Sequence, residues 1–299
     1  MIKGYGIILQ DKILYCSDEN FYTVFEILLF IERLIRNVNP KQTWRLNNIC
    51  FYNDDGQEFR MIIKHLITDS RQNLFYCVFG TFSYESMIKY NVLEDYYDKI
   101  NEYYQSVDVL KAASKKVIFR EIIKIIIEYL EEKYEKLLDK EEIKGKMEEL
   151  KTNKILFCGI SSQGLPIISD LYEKNLLDYI DRELNEDNIE LFNSNLSAQL
   201  ATIEMNTIIR AKLKIKEIHI DDFGSQDPKK TFLFSDLFNY SLHVFASGNF
   251  SIIREVVEQL KSEISKESVL QDDFSGDLKP YKHLREYINE FVKIFDNNK

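Results

Sequence analysis

The chain has few residues that break or crosslink regular structure. Its 299 residues include 4 prolines, 10 glycines and 4 cysteines. Because proline and glycine interrupt helices and strands, their scarcity predicts regular elements joined by short turns. The cysteines stand singly in apolar runs and form no CxxC pair: Cys16, Cys50, Cys77 and Cys158. This pattern favours buried free thiols, which are typical of a reducing compartment.

Long apolar runs are also missing. No stretch approaches the roughly 20 apolar residues that a membrane-spanning helix needs. The start of the chain, MIKGYGIILQDK, has no apolar segment long enough for a signal peptide. We therefore expect a cytoplasmic protein that does not insert directly into a membrane.

Positive charge is in deficit. The chain has 39 Lys and Arg against 49 Asp and Glu, and its formal net charge is −10. A nucleic-acid-binding protein needs a basic face for phosphates, so the charge argues against nucleic acid and is compatible with a basic protein partner. Hydrophobic residues make up 45% of the chain, which has enough length for two domains with separate cores.

No assembled catalytic motif is apparent, since the sequence contains no P-loop, nucleophile elbow or HExxH pattern. Four histidines are widely scattered: His65, His219, His243 and His283. His219 and His243 lie in predicted strands and could meet across a sheet, where Asp221 or Asp222 would join them in a metal site. Ordinary core-edge histidines explain the pattern equally well. We expect no enzyme, metal or cofactor.

The sequence does contain one block order that occurs twice. Each pass has a strand hairpin, a long apolar helix, three strands and a closing helix, first at about 5–105 and again at about 154–266. Strands are predicted at 4–8, 13–16, 44–52, 57–67 and 73–82, and then at 154–161, 165–171, 214–223, 231–238 and 241–247. The recurrence of the order indicates a duplicated architecture.

Two local signals support these blocks. Residues 53–56, Asn-Asp-Asp-Gly, form a hairpin signal because such a turn needs positive φ. Asp54 and Asp55 are therefore predicted as turn residues and not as catalytic carboxylates. In the second pass, a helix at about 189–213 has apolar residues at three- and four-residue spacing, and Asn249 is positioned to cap the closing helix.

The first long helix, ending near Val38, is more apolar than a single buried face requires. Val24, Leu28, Ile31 and Ile35 already supply such a face. Two interpretations stay open: burial under other helices of the same chain, or a face that binds another protein. On the second interpretation, the candidate partner-binding residues are Tyr22, Phe25, Leu29 and Phe30.

Two further helices are predicted outside the repeated blocks. In the helical stretch at 115–151, Ile118, Ile122, Ile125, Tyr129 and Leu137 fall near one face. We expect this helix to pack on the second sheet, because a free bridge would leave that face in water; a spacer or a coiled coil is the alternative. The tail at 281–295 has an amphipathic pattern, and it either folds back on the second domain or inserts into a partner's groove.

The first block resembles the longin domain, and the second resembles a roadblock/longin-type domain. The sequences that carry the second resemblance are ILFCGISSQGLPIISDL, NLSAQLATIEMNTIIRAKL, KEIHIDDFG and YSLHVFAS. The roadblock pattern has a helix before its first strand, a position that residues 118–150 could fill. The polar stretch at 178–188 departs from the pattern.

This resemblance implies an α/β fold of the α+β type. It would contain two longin/roadblock-like domains, each a five-stranded antiparallel sheet flanked by helices, and a C-terminal helix. The corresponding boundaries are 1–110 for the first domain, 111–151 for a connector or first helix of the second domain, 152–268 for the second domain, and 269–299 for a linker and tail helix.

Proteins of this family act as platforms that bind small Ras-like GTPases or vesicle-trafficking machinery. The resemblance therefore implies a non-catalytic GTPase-binding regulator or scaffold, able to form homo- or hetero-oligomers through its longin/roadblock surfaces. The alternative is a small-molecule sensor, because five antiparallel strands with flanking helices also describe PAS- and profilin-like folds, whose sheets can hold a small molecule. A largely apolar pocket would favour the sensor, and a sheet face filled by side chains would oppose it.

Overall fold

The computed structural model describes residues 1–39, 43–83, 86–138, 153–173, 176, 186–222 and 229–297. The fold is mixed α/β, as predicted, with ten strands and seven α-helices in the described residues. The chain divides into two compact units. Described residues within Met1–Leu29, Leu46–Met147 and Arg210–Leu213 belong to the first unit, and those within Phe30–Arg45, Glu148–Ile209 and Lys214–Lys299 to the second. Both units are discontinuous in sequence, and the boundaries expected above stay a prediction.

The first block contains five strands and a long helix. The strands are β1 (Ile2–Leu9), β2 (Lys12–Cys16), β3 (Trp44–Tyr52), β4 (Glu58–Ile67) and β5 (Asn73–Gly80), and helix α1 is Tyr22–Val38. Their order is β2-β1-β5-β4-β3, and neighbouring strands in this order are antiparallel. The predicted turn between β3 and β4 is confirmed, with Gly56 at a φ of 75°.

Three helices follow β5 in the first unit. They are α2 (Ile88–Tyr103), α3 (Val107–Ala113) and α4 (Val117–Leu138). The Ser106 side chain accepts a hydrogen bond from the Val109 N–H and so caps α3, a short helix that the sequence analysis did not predict.

The second block contains five more strands and two helices. They are β6 (Lys154–Ser162), β7 (Leu165–Leu171), α5 (Glu186–Asn206), β8 (Lys214–Asp222), β9 (Lys230–Leu237), β10 (Tyr240–Ser247) and α6 (Phe250–Ile264). The strand order is β8-β9-β10-β6-β7. Asn249 caps α6 as predicted, because its side chain accepts hydrogen bonds from the Ser251 and Ile252 N–H groups.

The two blocks have the same topology. The strands of each block can be numbered one to five in chain order. The first block then reads 2-1-5-4-3 from β2 to β3, and the second block reads 2-1-5-4-3 from β7 to β8. In both, a long helix follows the second strand and another helix follows the fifth. The repeated block order predicted from the sequence is therefore confirmed.

Helix α4 packs differently from the prediction. Its buried residues lie in the core of the first unit, and α4 contacts α2: Phe119, Ile123, Ile126, Ile127, Leu130 and Tyr134. The residues expected to face a sheet are turned outward instead, with Ile118 54%, Ile125 65% and Tyr129 48% exposed. The helix has two apolar stripes, and the buried one comprises a different set of side chains. The side chain of Leu137 and the predicted helix beyond Leu138 lie outside the described residues.

The tail folds back on the second unit, which resolves the alternative left open by the sequence. Helix α7 (Lys282–Asn297) contacts β6 and α6. Leu284, Ile288 and Val292 are buried along one side of it. Arg285 donates to both carboxylate oxygens of Asp170, with its Nε 3.0 and 2.9 Å from them.

Candidate protein-binding surfaces

The four candidate residues on α1 have different environments. Tyr22 is 45% exposed, and Leu29 and Phe30 are partly buried. Phe25 is fully buried. Its ring covers Gly6 so closely that a Cβ at Gly6 would lie 2.9 Å from the ring. Phe25 is therefore a core residue that a partner cannot reach, whereas the roles of Tyr22, Leu29 and Phe30 in partner binding stay predictions.

The accessible edge of α1 near Tyr22 also contains charge. Glu26, one turn after Tyr22, forms an ion pair with Arg210 at 3.4 Å. Both charged side chains are partly exposed, so the pair adds little stability by itself. An exposed aromatic ring beside a charged pair is a combination that protein interfaces use at a binding site, since aromatic and arginine side chains are enriched there.

A larger apolar surface lies on α4. We define the α4 stripe as Ile118, Ile122, Ile125 and Tyr129, which follow one another at spacings of four, three and four residues. Residues at these spacings share one side of a helix. Ile122 is partly buried and the other three are exposed. Ile122 packs against the core of the first unit, so the exposed apolar row is interrupted at that residue.

A polar cluster away from the α4 stripe joins α4 to α2. The Asp95 carboxylate accepts hydrogen bonds from the Lys133 ammonium and from the Tyr134 hydroxyl, the latter at 2.6 Å. Burial by itself raises the pKa of Asp95, but the hydrogen bonds from Lys133 and Tyr134 outweigh it and hold the pKa below its usual value. These contacts fix the rotation of α4, and with it the outward direction of the α4 stripe.

The two strand histidines do not form a common site. His219 pairs with Thr231 of β9, whereas His243 pairs with Phe234 of the same strand. Thr231 and Phe234 are three residues apart, and side chains alternate along a strand, so the two histidines point to opposite faces of the sheet. They cannot share a metal ion.

Each histidine instead has its own carboxylate. His219 Nε2 lies 3.0 Å from Glu217 Oε2, and His243 Nε2 lies 3.0 Å from Glu204 Oε2. Within the part of the chain that the structure describes, no group of three or more His, Cys, Asp or Glu side chains could hold a metal ion. The metal-site hypothesis is therefore wrong for His219 and His243.

Helix α5 presents an unusual polar row to the core of the second unit. Asn193, Ser197 and Glu204 are buried on the same helix as the apolar residues at three- and four-residue spacing that the sequence analysis identified. Ser197 Oγ and Asn193 Oδ1 have no hydrogen-bond partner, nor has Nδ1 of His243. Sequence reasoning missed this row because it counted only the apolar positions.

A half-open groove lies beside the first unit's core. It has a volume of about 440 Å³ and lies between the β4–β5 turn and the α2–α3 turn, lined by Asp69, Tyr76, Tyr97, Asn101, Tyr104 and Asp108 among others. The sheet faces themselves are filled: every residue of β5 is buried, and so are eight of the nine in β6. This packing opposes a ligand cavity against the sheet.

The cysteines match the expectation of free thiols. Cys50, Cys77 and Cys158 are buried and Cys16 is partly buried, and all four are free. Burial raises the pKa of the Cys77 and Cys158 thiols far above the ordinary value. Thiolates are the reactive form, so these two side chains are inert packing residues.

The sequence was compared with protein-family models and with curated proteins, and neither comparison found a match. Among the described residues, no helix is long and apolar enough to cross a membrane.

Proposed function

We propose that this chain is a non-catalytic small-GTPase-binding regulator or scaffold, built from two longin/roadblock-like domains with a five-stranded sheet in each. The observation that carries the proposal is the strand order 2-1-5-4-3, which occurs in both blocks together with a helix after the second strand. This is the block order on which the resemblance to the longin family depends. We infer a role as a platform for Ras-like GTPases only from that resemblance to the family.

The accessible edge of α1 supplies the proposed contact. Tyr22 is the most exposed of the four candidate residues, and the charged side chains of Glu26 and Arg210 lie along the same helix edge. Leu29 and Phe30 are partly buried, and most of the other apolar residues of α1 are fully buried, so the contact would involve a small number of side chains. A partner would therefore gain much of its affinity from a single aromatic anchor, as interfaces often do.

The experiment is an affinity capture from native lysate, with GDP in one sample and a non-hydrolysable GTP analogue in the other. Tyr22→Glu should lose the captured GTPase, because it puts a carboxylate where the partner needs an apolar surface. Tyr103→Glu is the matched control, since Tyr103 is another exposed tyrosine, on α2. Far-UV circular dichroism of both variants checks that they are folded.

A small GTPase recovered in one nucleotide state, and lost with Tyr22→Glu alone, supports the proposal. Capture in the GDP sample indicates an exchange role, and capture with the analogue indicates recruitment or assisted hydrolysis. Recovery of no GTPase in either sample would overturn the proposed function. Equal loss with Tyr103→Glu would overturn the assignment of the contact to α1.

The groove of about 440 Å³ keeps a small-molecule sensor as the second candidate. Its lining is a mixture of polar and aromatic groups and includes Asp69 and Asp108. Native mass spectrometry of the purified chain tests this candidate. A bound small molecule that is lost when Tyr97 or Tyr104 is replaced by alanine would favour the sensor over the scaffold. A measured mass equal to that of the chain alone would exclude the sensor.

A further inference from the structure

The groove beside the first unit's core has an acidic lining. Asp69 and Asp108 belong to it, and among the described residues that line it there is no Lys, Arg or His. Neither carboxylate forms an ion pair with a described residue. Two cations stand outside the lining: Arg71 in the β4–β5 turn, and Lys64 on β4, which pairs with Glu94. The groove therefore repels an anionic ligand and attracts a cationic one.

Two tyrosine rings in the groove suit a cation. Tyr76 and Tyr97 both line it, and their rings meet edge to face with centroids 5.1 Å apart and planes 80° apart. Aromatic rings attract alkyl ammonium groups through their negative faces. Tyr97 already makes such a contact, because Lys64 Nζ lies 4.2 Å from its ring centroid. A ligand cation beside these rings gains the same kind of attraction.

Two buried tyrosines of the lining have unpaired hydroxyls. Tyr76 is 2% exposed and Tyr104 is 9% exposed, and neither hydroxyl has a hydrogen-bond partner in the part of the chain that the structure describes. Buried tyrosine hydroxyls usually have a partner. Burial raises the pKa of both phenols, so both stay neutral at pH 7. A neutral phenol oxygen accepts hydrogen bonds from an ammonium group, which has three donors.

From the acidic lining, the paired rings and the unpaired hydroxyls, we infer that this groove binds a small aliphatic diamine in its protonated form. The two carboxylates match its two charges, and the rings and apolar side chains of the lining contact its carbon chain. The groove volume of about 440 Å³ lies in the range of small-molecule sites. The inference gives a ligand class to the second candidate function and does not depend on the α1 contact proposed for a GTPase.

Isothermal titration calorimetry of the purified full chain tests the ligand class. Putrescine is the probe, and 1,4-butanediol and succinate are the comparison compounds, because they have the same four-carbon chain with neutral or negative ends. Putrescine should bind and the other two should not, and its affinity should fall as salt is added. Failure of putrescine to bind, or equal binding of 1,4-butanediol, would overturn the inference.

Variants of the lining test the site. Tyr97→Leu should raise the Kd of putrescine about two- to thirtyfold, since it removes a cation–π contact, whereas Tyr97→Phe keeps the ring and should retain affinity. Asp108→Asn should raise the Kd by up to about fivefold, as expected for an exposed ion pair. Asp98→Asn is the matched control, because Asp98 is exposed on α2 and is not part of the lining. Far-UV circular dichroism checks that each variant is folded.

Unchanged affinity in both Tyr97→Leu and Asp108→Asn would overturn the placement of the diamine in this groove. An equal loss with Asp98→Asn would do the same, because it would show a general effect of charge. Native mass spectrometry reports only a ligand that survives purification, whereas the titration measures one that exchanges freely.

The diamine and GTPase proposals fail separately. Tyr22→Glu should leave putrescine binding unchanged, and Asp108→Asn should leave capture of a GTPase unchanged. A chain that captures a GTPase but does not bind putrescine would overturn only the diamine site. Putrescine binding without capture of a GTPase would overturn only the GTPase role.

Discussion

Glu204 and His243 show how the second unit accommodates polar side chains in its interior. His243 is completely buried, and Glu204 is its partner at 3.0 Å. The other ring nitrogen of His243 has no partner. A buried hydrogen bond contributes modestly to stability while both groups are present, but removing one group leaves the other desolvated and unpaired.

We therefore predict that Glu204→Leu lowers the free energy of unfolding by about 1–3 kcal/mol. The double variant Glu204→Leu, His243→Phe should recover part of that loss, because neither polar group is then buried. Urea denaturation of the wild type, the single variants Glu204→Leu and His243→Phe, and the double variant gives the four unfolding free energies of a double-mutant cycle. Glu190→Leu, at an exposed position of the same helix, is the control and should change stability little. Purely additive single effects would contradict the pairing.

At the scale of the elements, the position of α4 depends on its attachment to α2. Asp95 receives hydrogen bonds from two residues of α4, and these contacts lower the pKa of its carboxyl against the opposing effect of burial. A carboxyl with a lowered pKa in the folded state stabilises the fold at pH values above its unfolded pKa of about 3.9. That contribution is lost as the pH falls through the folded pKa.

Asp95→Asn should therefore be less stable than the wild type at pH 7, and the difference should shrink as the pH falls below about 4 and through the lowered pKa of Asp95. Urea denaturation at pH 7, 5 and 3 measures the difference. Asp98→Asn, at an exposed position on α2, is the control at pH 7 and should match the wild type. A difference that persists unchanged at pH 3 would contradict the role assigned to the Asp95 carboxylate.

Elements with a local signal could be predicted from the sequence. The turn at Gly56 needs positive φ and Asn249 supplies a cap, so both are recognisable without knowledge of the rest of the chain. The inner face of α4 was not predictable in this way. It has apolar residues on two sides, and periodicity alone does not say which side meets the core.

The candidate site was predictable in part. The sequence singled out α1, but its pattern could not separate buried Phe25 from exposed Tyr22, because both are aromatic and lie one turn apart. The polar row of α5 also escaped prediction. Asn193 and Ser197 are short polar residues that a sequence reading assigns to the surface, and only the packing around them shows that they are buried.

For the molecule as a whole, the tail helix is an integral part of the second unit. Three apolar side chains of α7 are buried, and Tyr281 before it is buried with its hydroxyl 2.7 Å from that of Tyr240. Tyr172 donates a hydrogen bond to Asn289 at 2.8 Å. The hydrogen bond from Tyr172 joins the tail to a residue 117 positions earlier in the chain.

Deleting residues 280–299 should therefore lower the thermal midpoint by many degrees, since fully burying one large apolar side chain is worth roughly 1.5–3 kcal/mol and several are lost together. Differential scanning calorimetry measures the change. Replacing only Lys293, at an exposed position of α7, by alanine is the control and should leave the midpoint near the wild-type value. An unchanged midpoint after the deletion would show that α7 is dispensable.

The discontinuity of the units has a consequence for the order in which this protein can be completed during synthesis. Residues 30–45 leave the ribosome early, yet the unit to which they belong consists mainly of residues beyond 148. Residues 210–213 belong in turn to the first unit, most of which has by then already been synthesised. Neither unit can reach its final set of contacts until translation has passed well beyond the middle of the message. A nascent chain stalled before that point would hold the second half of α1 without most of the unit to which it belongs.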